Sequence, residues 1–273
     1  MTVKLVHEYA RVIALISDLH IGSRYAVCPE NWETEEGTNL SKMANQGQKE
    51  LLKHWNNFVK TCNELNVDTI FILGDVCAGV NPKECGLHMM TTDLNEQCKG
   101  AETLLEPLCK NRNVGVFSGS QYHESRDFRI HENIAKHLGG KFYGAIANIR
   151  LEPTDKIVNL AHRTTEALVY PETSLSRDIM FEKEAEALGK LYKTHAIVRG
   201  HRHSFVEIHK YDLHYVSLPC WQAFVPYEQA VRWYFKFQPD IGGVIMFVDM
   251  NGRLRFWHFL YPCPHIADKI VTA

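Results

Sequence analysis

The chain has no C-x-x-C pair, and its eight cysteines are scattered over 273 residues with no dense framework. In a chain this long that pattern reads as reduced intracellular thiols, not a disulfide scaffold. Long apolar runs are missing as well. The run from Arg11 to Ile16 is too short for the core of a secretory signal, and no small-residue cleavage site follows it. No stretch approaches the roughly 20 apolar residues of a membrane span, so the expectation is a cytoplasmic protein with no membrane partner. Charge of one sign is also scarce. A formal net charge of −2 leaves no global field that draws the chain to nucleic acid, so any basic surface has to be local. There is no internal repeat and no low-complexity linker, which points to one domain over residues 1–273.

What is present is the composition of an ordinary globular protein, 45% hydrophobic and 23% charged. Histidine, with fifteen copies, stands out. The first half alternates strand and helix signals. RVIALI (11–16), TIFIL (69–73) and VGVF (114–117) are short continuous apolar runs, the pattern of strands covered on both faces. Between them, residues 48–65 and 93–109 show helical spacing, with Asp93 as a candidate N-cap. Residues 125–138 read as a third helix ended by Gly139-Gly140. Residues 76–100 contain an irregular insertion. Beyond Gly140 strand-like runs dominate, split by one helix between Ser176 and Tyr192, and Asn251-Gly252 marks a hairpin. This order predicts an α/β fold of two face-to-face mixed sheets flanked by helices, with residues 204–273 a strand-rich extension of the same domain.

In open α/β sheets, functional groups gather beyond the carboxyl ends of strands. This chain repeatedly places ligand-type residues there. Asp18 and His20 follow the first strand, Asp75 the second and His123 the third; His162 follows KIVNLA, and His201 with His203 follow AIVRG. A lone histidine at such a place is ordinarily structural. A coordinated set of this kind predicts metal. Two divalent ions roughly 3.5–4 Å apart can clamp phosphoryl oxygens and polarise a bridging water. Holding them so close calls for a shared anionic ligand, for which one aspartate has two oxygens. Mixed imidazole and carboxylate donors suit Mn, Fe, Zn, Ni or Co, with Mn foremost. Gly74, Gly119 and Gly200 are expected to make sharp turns that aim the next side chain inward.

These residues resemble the signature of the calcineurin-like metallophosphoesterases, which runs D-x-H, G-D, G-N-H-D or -E, a histidine, then G-H-x-H. Here it reads Asp18-Leu19-His20, Gly74-Asp75, Gly119-Ser120-Gln121-Tyr122-His123-Glu124, His162 and Gly200-His201-Arg202-His203, spread over residues 11–205. The resemblance implies a four-layer α/β/β/α sandwich and two metal ions. One ion is assigned Asp18, His20 and His203, the other His162 and His201, and Asp75 bridges them. His123 takes the role of general acid, with Glu124 beside it. The chain departs from the signature where Asn is expected: Gln121 is the preferred substitute ligand, with Ser120 or a water as alternatives and a weaker second site as the consequence.

Arg163, Arg24 and Arg126, together with Arg202, sit beside these residues as candidate phosphate clamps. Trp221, Phe224, Tyr227, Trp233, Tyr234, Phe235 and Phe237 form an aromatic run able to stack bases, though such runs are more often core. The leading expectation is a phosphodiesterase acting on nucleic acid or nucleotides. The alternatives are a phosphomonoesterase and a binding scaffold without catalysis.

Overall fold

The computed structural model describes residues 9–80, 86–121, 123, 129–163, 171–225 and 238–264. β1 (Tyr9–Ile16) is the first apolar run extended by two residues, and Val12 to Ile16 are all buried. α1 (Gln46–Glu64) starts at a capping box in which the Asn45 side chain accepts from Gln48 N at 2.9 Å and Gln48 accepts from Asn45 N at 3.2 Å. Its buried stripe, Leu51, Trp55, Phe58 and Cys62, follows the helical repeat. β2 (Thr69–Leu73) is buried at every position. α2 (Leu94–Cys109) is capped by Asp93, as its sequence predicts. β3 (Asn113–Phe117) and the short α3 (Ile130–His137) follow. The expected start of that helix, 125–128, lies outside the described residues.

Three boundaries differ from expectation. The run FYGAIANIRLEP is not one strand. It divides at Gly144 (φ +73) into β4 (Lys141–Phe142) and β5 (Ile146–Leu151), which belong to different sheets. After β6 (Lys156–Ala161), α4 (Pro171–Ala187) sits about five residues before its expected position. Proline suits the first turn of a helix, and Gly189 in the left-handed region ends it, with its N–H on Glu186 O at 2.9 Å. After β7 (Ala196–Arg199), SFVEIHKYDLHYVSL folds into a hairpin of β8 (Val206–Lys210) and β9 (Leu213–Ser217). Tyr211 and Asp212 take left-handed φ of 54° and 58° at the turn, without the glycine that normally advertises one. β10 (Ile241–Asp249) and β11 (Leu254–Tyr261) complete the chain.

The first sheet runs β11-β10-β1-β2-β3-β4 and the second β5-β6-β7-β9-β8. The final third is therefore divided between both sheets, and β10 lies directly against β1, Ile13 opposite Met246. Leu15, Phe71, Leu73 and Phe117 of the first sheet meet Leu160, Val198 and Val216 of the second in a shared core. The outer face of the first sheet packs with Trp55, Phe58, Leu104 and Ile134 from the three helices; that of the second packs Ile197 and Tyr215 against Ile179 of α4. The layers are thus α/β/β/α. β1, β2 and β3 are mutually parallel, as are β6, β7 and β9, so each sheet sends several carboxyl ends to one edge. No helix among the described residues is long and apolar enough to cross a membrane.

α1 reaches β10 because Gly243 lacks a side chain: a Cβ there would stand 2.5 Å from Cζ of the fully buried Phe58. Gly243→Ala is expected to destabilise by about 1–3 kcal/mol through overpacking, against alanine's better strand propensity. A lower urea midpoint at unchanged m reads this out, and an equal or higher midpoint shows that the ring makes room.

Candidate metal centre

Five residues at these strand ends have left-handed backbone: Asp18 (φ 56), His20 (φ 47), Asp75 (φ 48), His201 (φ 73) and His203 (φ 55). They are half of the ten described non-glycine residues at positive φ, so the unfavourable dihedrals concentrate here. The loops that carry them interlock. Asp18 N donates to Gly74 O at 3.2 Å, His20 N to Asp75 O at 3.0 Å, and Gly200 N to His162 O at 3.1 Å. Of the three motif glycines only Gly74 (φ +77) is a left-handed turn residue. Gly119 and Gly200 are required by space. A Cβ on Gly119 would lie 2.5 Å from Asp75 N, and one on Gly200 would collide with the Ser17 hydroxyl.

The side chains converge in three groups whose ligand atoms lie within 4.8 Å of one another: Asp18, His20 and His203; His20, Asp75 and His123; Asp75, His162 and His201. The two carboxylates are held alike. Asp18 Oδ2 accepts from Ser17 Oγ at 2.6 Å and from His201 N at 2.8 Å. Its Oδ1 has no hydrogen-bond partner and lies 3.2 Å from His203 Nε2, 3.6 Å from His20 Nε2 and 4.0 Å from His162 Nε2. Asp75 Oδ1 accepts from Ser120 N at 2.6 Å, and Oδ2, which the Ser120 hydroxyl reaches at 3.0 Å, faces His162 Nε2 at 3.0 Å and His123 Nε2 at 3.9 Å.

The imidazoles are oriented from behind. His162 Nδ1 donates to Leu73 O at 2.6 Å and His123 Nδ1 to Ala78 O at 2.5 Å. A carbonyl only accepts, so both rings must carry the proton on Nδ1 and turn Nε2 inward, the arrangement typical of metal-ligating histidine. His162 Nε2 is buried with no hydrogen-bond partner, and His20 Nε2 stands 3.1 Å from His203 Nε2. Buried, mutually facing donor atoms of this kind are costly alone and are satisfied together by a cation. The donor set fits a divalent transition metal.

Electrostatics agree with that fit. Burial alone would raise Asp18 and Asp75, but the imidazoles around them, His162 foremost, hold both well below the ordinary carboxylate range. Burial would lower His162, yet Asp75 and Asp18 outweigh it and bring the ring up to about 9. His20 moves the other way, down to about 4, through burial and the nearby His123.

The structure thus brings Asp18, His20, Asp75, His123, His162, His201 and His203 together. Gln121 is not with them: it is exposed, whereas Ser120 is buried and its hydroxyl lies 3.0 Å from Asp75 Oδ2. The turn after Gly119 aims the adjacent side chain toward Asp75 and leaves Gln121 outside the cluster. Arg163 is exposed, and Arg24 spends Nε on Met89 O at 3.0 Å. Arg126, Glu124 and the aromatic run from Tyr227 to Phe237 lie outside the described residues, while Trp221 is core. Sequence reasoning missed His131 of α3, which is fully buried and accepts Val76 N at 3.2 Å beneath the Asp75 turn. Its signal was the buried-face spacing Ile130, His131, Ile134, Ala135.

No protein-family model matches the chain, and no curated protein matches it either. Solved structures do align with it. One described as a novel archaeal phosphodiesterase aligns over 91% of this chain and 99% of its own, at 12% identity and a TM-score of 0.46. Vacuolar protein sorting 29 from Cryptosporidium parvum aligns over 93% and 98%, at 13% identity and 0.44. A predicted phosphoesterase from Streptococcus pneumoniae aligns over 92% and 93%, at 10% identity and 0.37. The likeness is one of chain path at low identity; what the site can hold follows from its own residues.

Proposed function

We propose that this chain is a dinuclear metal-dependent phosphoesterase, and specifically a phosphodiesterase for nucleic acid or nucleotides. The observation that carries the reading is the sharing of Asp75 and His20 among three overlapping donor groups. Asp18, His20 and His203 would hold an inner ion and His162 with His201 an outer one, with Asp75 shared between them. Bound divalent ions supply Lewis acidity toward phosphoryl oxygens and lower the pKa of bound water. The protein does the rest. Ser17, Ser120 and the His201 amide fix the carboxylates, and the Nδ1 bonds of His162 and His123 aim their rings. Asp18 and His20 are buried while His201 is exposed, so substrate approaches from the outer side. Diesters are favoured because a dianionic monoester asks for cationic clamps, and Arg24, one candidate, already has its Nε on Met89 O. The resemblance to calcineurin-like metallophosphoesterases supports the same reading.

Hydrolysis of bis(p-nitrophenyl) phosphate with Mn²⁺ should exceed that of p-nitrophenyl phosphate. Faster monoester release reverses the substrate order, and no metal-stimulated hydrolysis of either favours a scaffold.

His123 has two readings. With its Nε2 beside Asp75 and 24% of its side chain exposed, it suits a proton donor to the leaving oxygen. Its grouping with His20 and Asp75 favours a ligand instead. As the acid, His123→Ala should lower turnover by about 10²–10⁴-fold with metal content unchanged. Loss of an ion in that variant makes it a ligand.

Metal uptake should also release protons. His162, at about 9 in the metal-free site, is protonated at pH 7 and must lose that proton to bind. Affinity for the outer ion should therefore rise about tenfold per pH unit between pH 7 and 9, then level off. Calorimetry in buffers of different ionisation enthalpy measures the proton count; a count of zero at pH 7 contradicts the assignment of His162.

A further inference from the structure

The loop that follows Asp75 is held from α2 by one side chain. Gln97 is fully buried in the first turn of that helix. Its Oε1 accepts from Gly79 N at 2.8 Å, and its Nε2 donates to Gly79 O at 3.1 Å and to Thr91 O at 3.0 Å. These partners fix which end of the amide is which, because an N–H must meet its oxygen and a carbonyl its nitrogen. The stem of the side chain lies against Gly22, two residues past His20, where a Cβ would stand 2.7 Å from Cγ and Cδ of Gln97. Gln97 therefore sits between the loops that carry the first two motifs.

Its bonds reach the site through a single peptide unit. Gly79 N and Ala78 O belong to the same peptide, and Ala78 O accepts from His123 Nδ1 at 2.5 Å. A trans peptide is planar and points its N–H and C=O in opposite directions. Fixing Gly79 N–H on Gln97 Oε1 thus fixes the direction of the Ala78 carbonyl. The bonds run in one sense, from His123 Nδ1–H to Ala78 O and from Gly79 N–H to Gln97 Oε1, so each polarises the next. We infer that Gln97 is the positioning residue for His123: through the Ala78–Gly79 peptide it sets the carbonyl that takes the Nδ1 proton, and so turns Nε2 toward Asp75. This holds whether His123 serves as acid or as ligand. His162 shows the contrast. Its Nδ1 meets Leu73 O at the end of β2, a strand paired with both β1 and β3, so the sheet itself aims that carbonyl. The Ala78 carbonyl lies in a loop and is aimed by a side chain instead.

The orientation of the ring does not depend on metal; only its catalytic consequence rests on the phosphoesterase reading above. Metal-free wild type and Gln97→Met, which keeps the length of the side chain without its polar atoms, are compared by NMR of histidine ring protons at one pH. Thermal melts establish folding. Wild type should show slowly exchanging Nδ1 protons on both His123 and His162. Gln97→Met should lose the first and keep the second, and its Mn²⁺-stimulated hydrolysis of bis(p-nitrophenyl) phosphate should fall about 10–100-fold. If Gln97→Met fails to fold, wild type decides through couplings across hydrogen bonds. Gly79 N should couple to the Gln97 side-chain carbonyl carbon, and His123 Nδ1 to the Ala78 carbonyl carbon; absence of either overturns the inference. A folded Gln97→Met that retains the His123 proton overturns it as well. Loss of the His123 and His162 protons together has the same force, since the loops have then loosened as a whole. Wild type without Mn²⁺-stimulated hydrolysis removes the phosphoesterase reading, while the ring protons still decide the role of Gln97.

Discussion

Two carboxylates, Asp18 and Asp75, are buried to 1% exposure or less, with imidazole nitrogens 3.0–4.0 Å from their oxygens. Burying one carboxylate without compensation is costly, and burying two side by side is more so. Everything around them reduces that cost or fixes its geometry. On Asp18 the Ser17 hydroxyl and the His201 amide take one oxygen and leave the other bare; on Asp75 the Ser120 amide takes one oxygen and its hydroxyl reaches the other. Asp18 Oδ1 and Asp75 Oδ2 each face imidazole Nε2 atoms. Without an ion the arrangement survives only by protonating imidazoles, as the upward displacement of His162 indicates. With a cation the same atoms become a ligand shell. This constraint explains why the site tolerates five left-handed residues, each of which costs on the order of 1–2 kcal/mol.

The sandwich makes such crowding possible. Donors arrive from β1, β2 and β3 of one sheet and from β6 and β7 of the other, and parallel strands bring their carboxyl ends to one edge. Close approach of the loops then depends on missing side chains. Gly119 lets the Ser120 amide reach Asp75, and Gly200 lets the Ser17 hydroxyl reach Asp18. The site's precision belongs to these contacts between loops more than to any single strand.

That distinction also explains what was legible in the sequence. The buried strands announced themselves as apolar runs, and α1 and α2 by spacing and caps, because those signals are local. The ligand positions were legible because each stands directly after a strand. What failed was longer in range or finer in geometry. The β8–β9 turn has no glycine, so its left-handed pair, Tyr211-Asp212, carried no local signal. The division of β4 from β5 depends on which sheet receives each strand. Choosing Gln121 over Ser120 matched amide chemistry to an expected Asn, but the direction of a side chain after a tight turn is set by backbone dihedrals. His131 acts from behind the Asp75 turn, and sequence distance hides it.

The two halves of the site are unequal. Asp18 and His20 lie deep and His203 is partly buried, with Trp221 N bonded to Asp18 O and Asp240 N to His203 O. The outer group has His201 exposed, and Ser120 spends its hydroxyl and amide on Asp75 instead of adding a donor. Catalytic metal sites keep open positions where structural ones are closed. By that criterion the inner group is the anchor. The outer one, whose His201 is exposed, is the open side of the site. His123 faces Asp75 Oδ2 from 3.9 Å, with its Nδ1 on Ala78 O and 24% of its side chain exposed. The exposed His201 and the partly exposed His123 therefore mark the face that solvent reaches, while the inner carboxylate, held by Ser17, keeps its geometry.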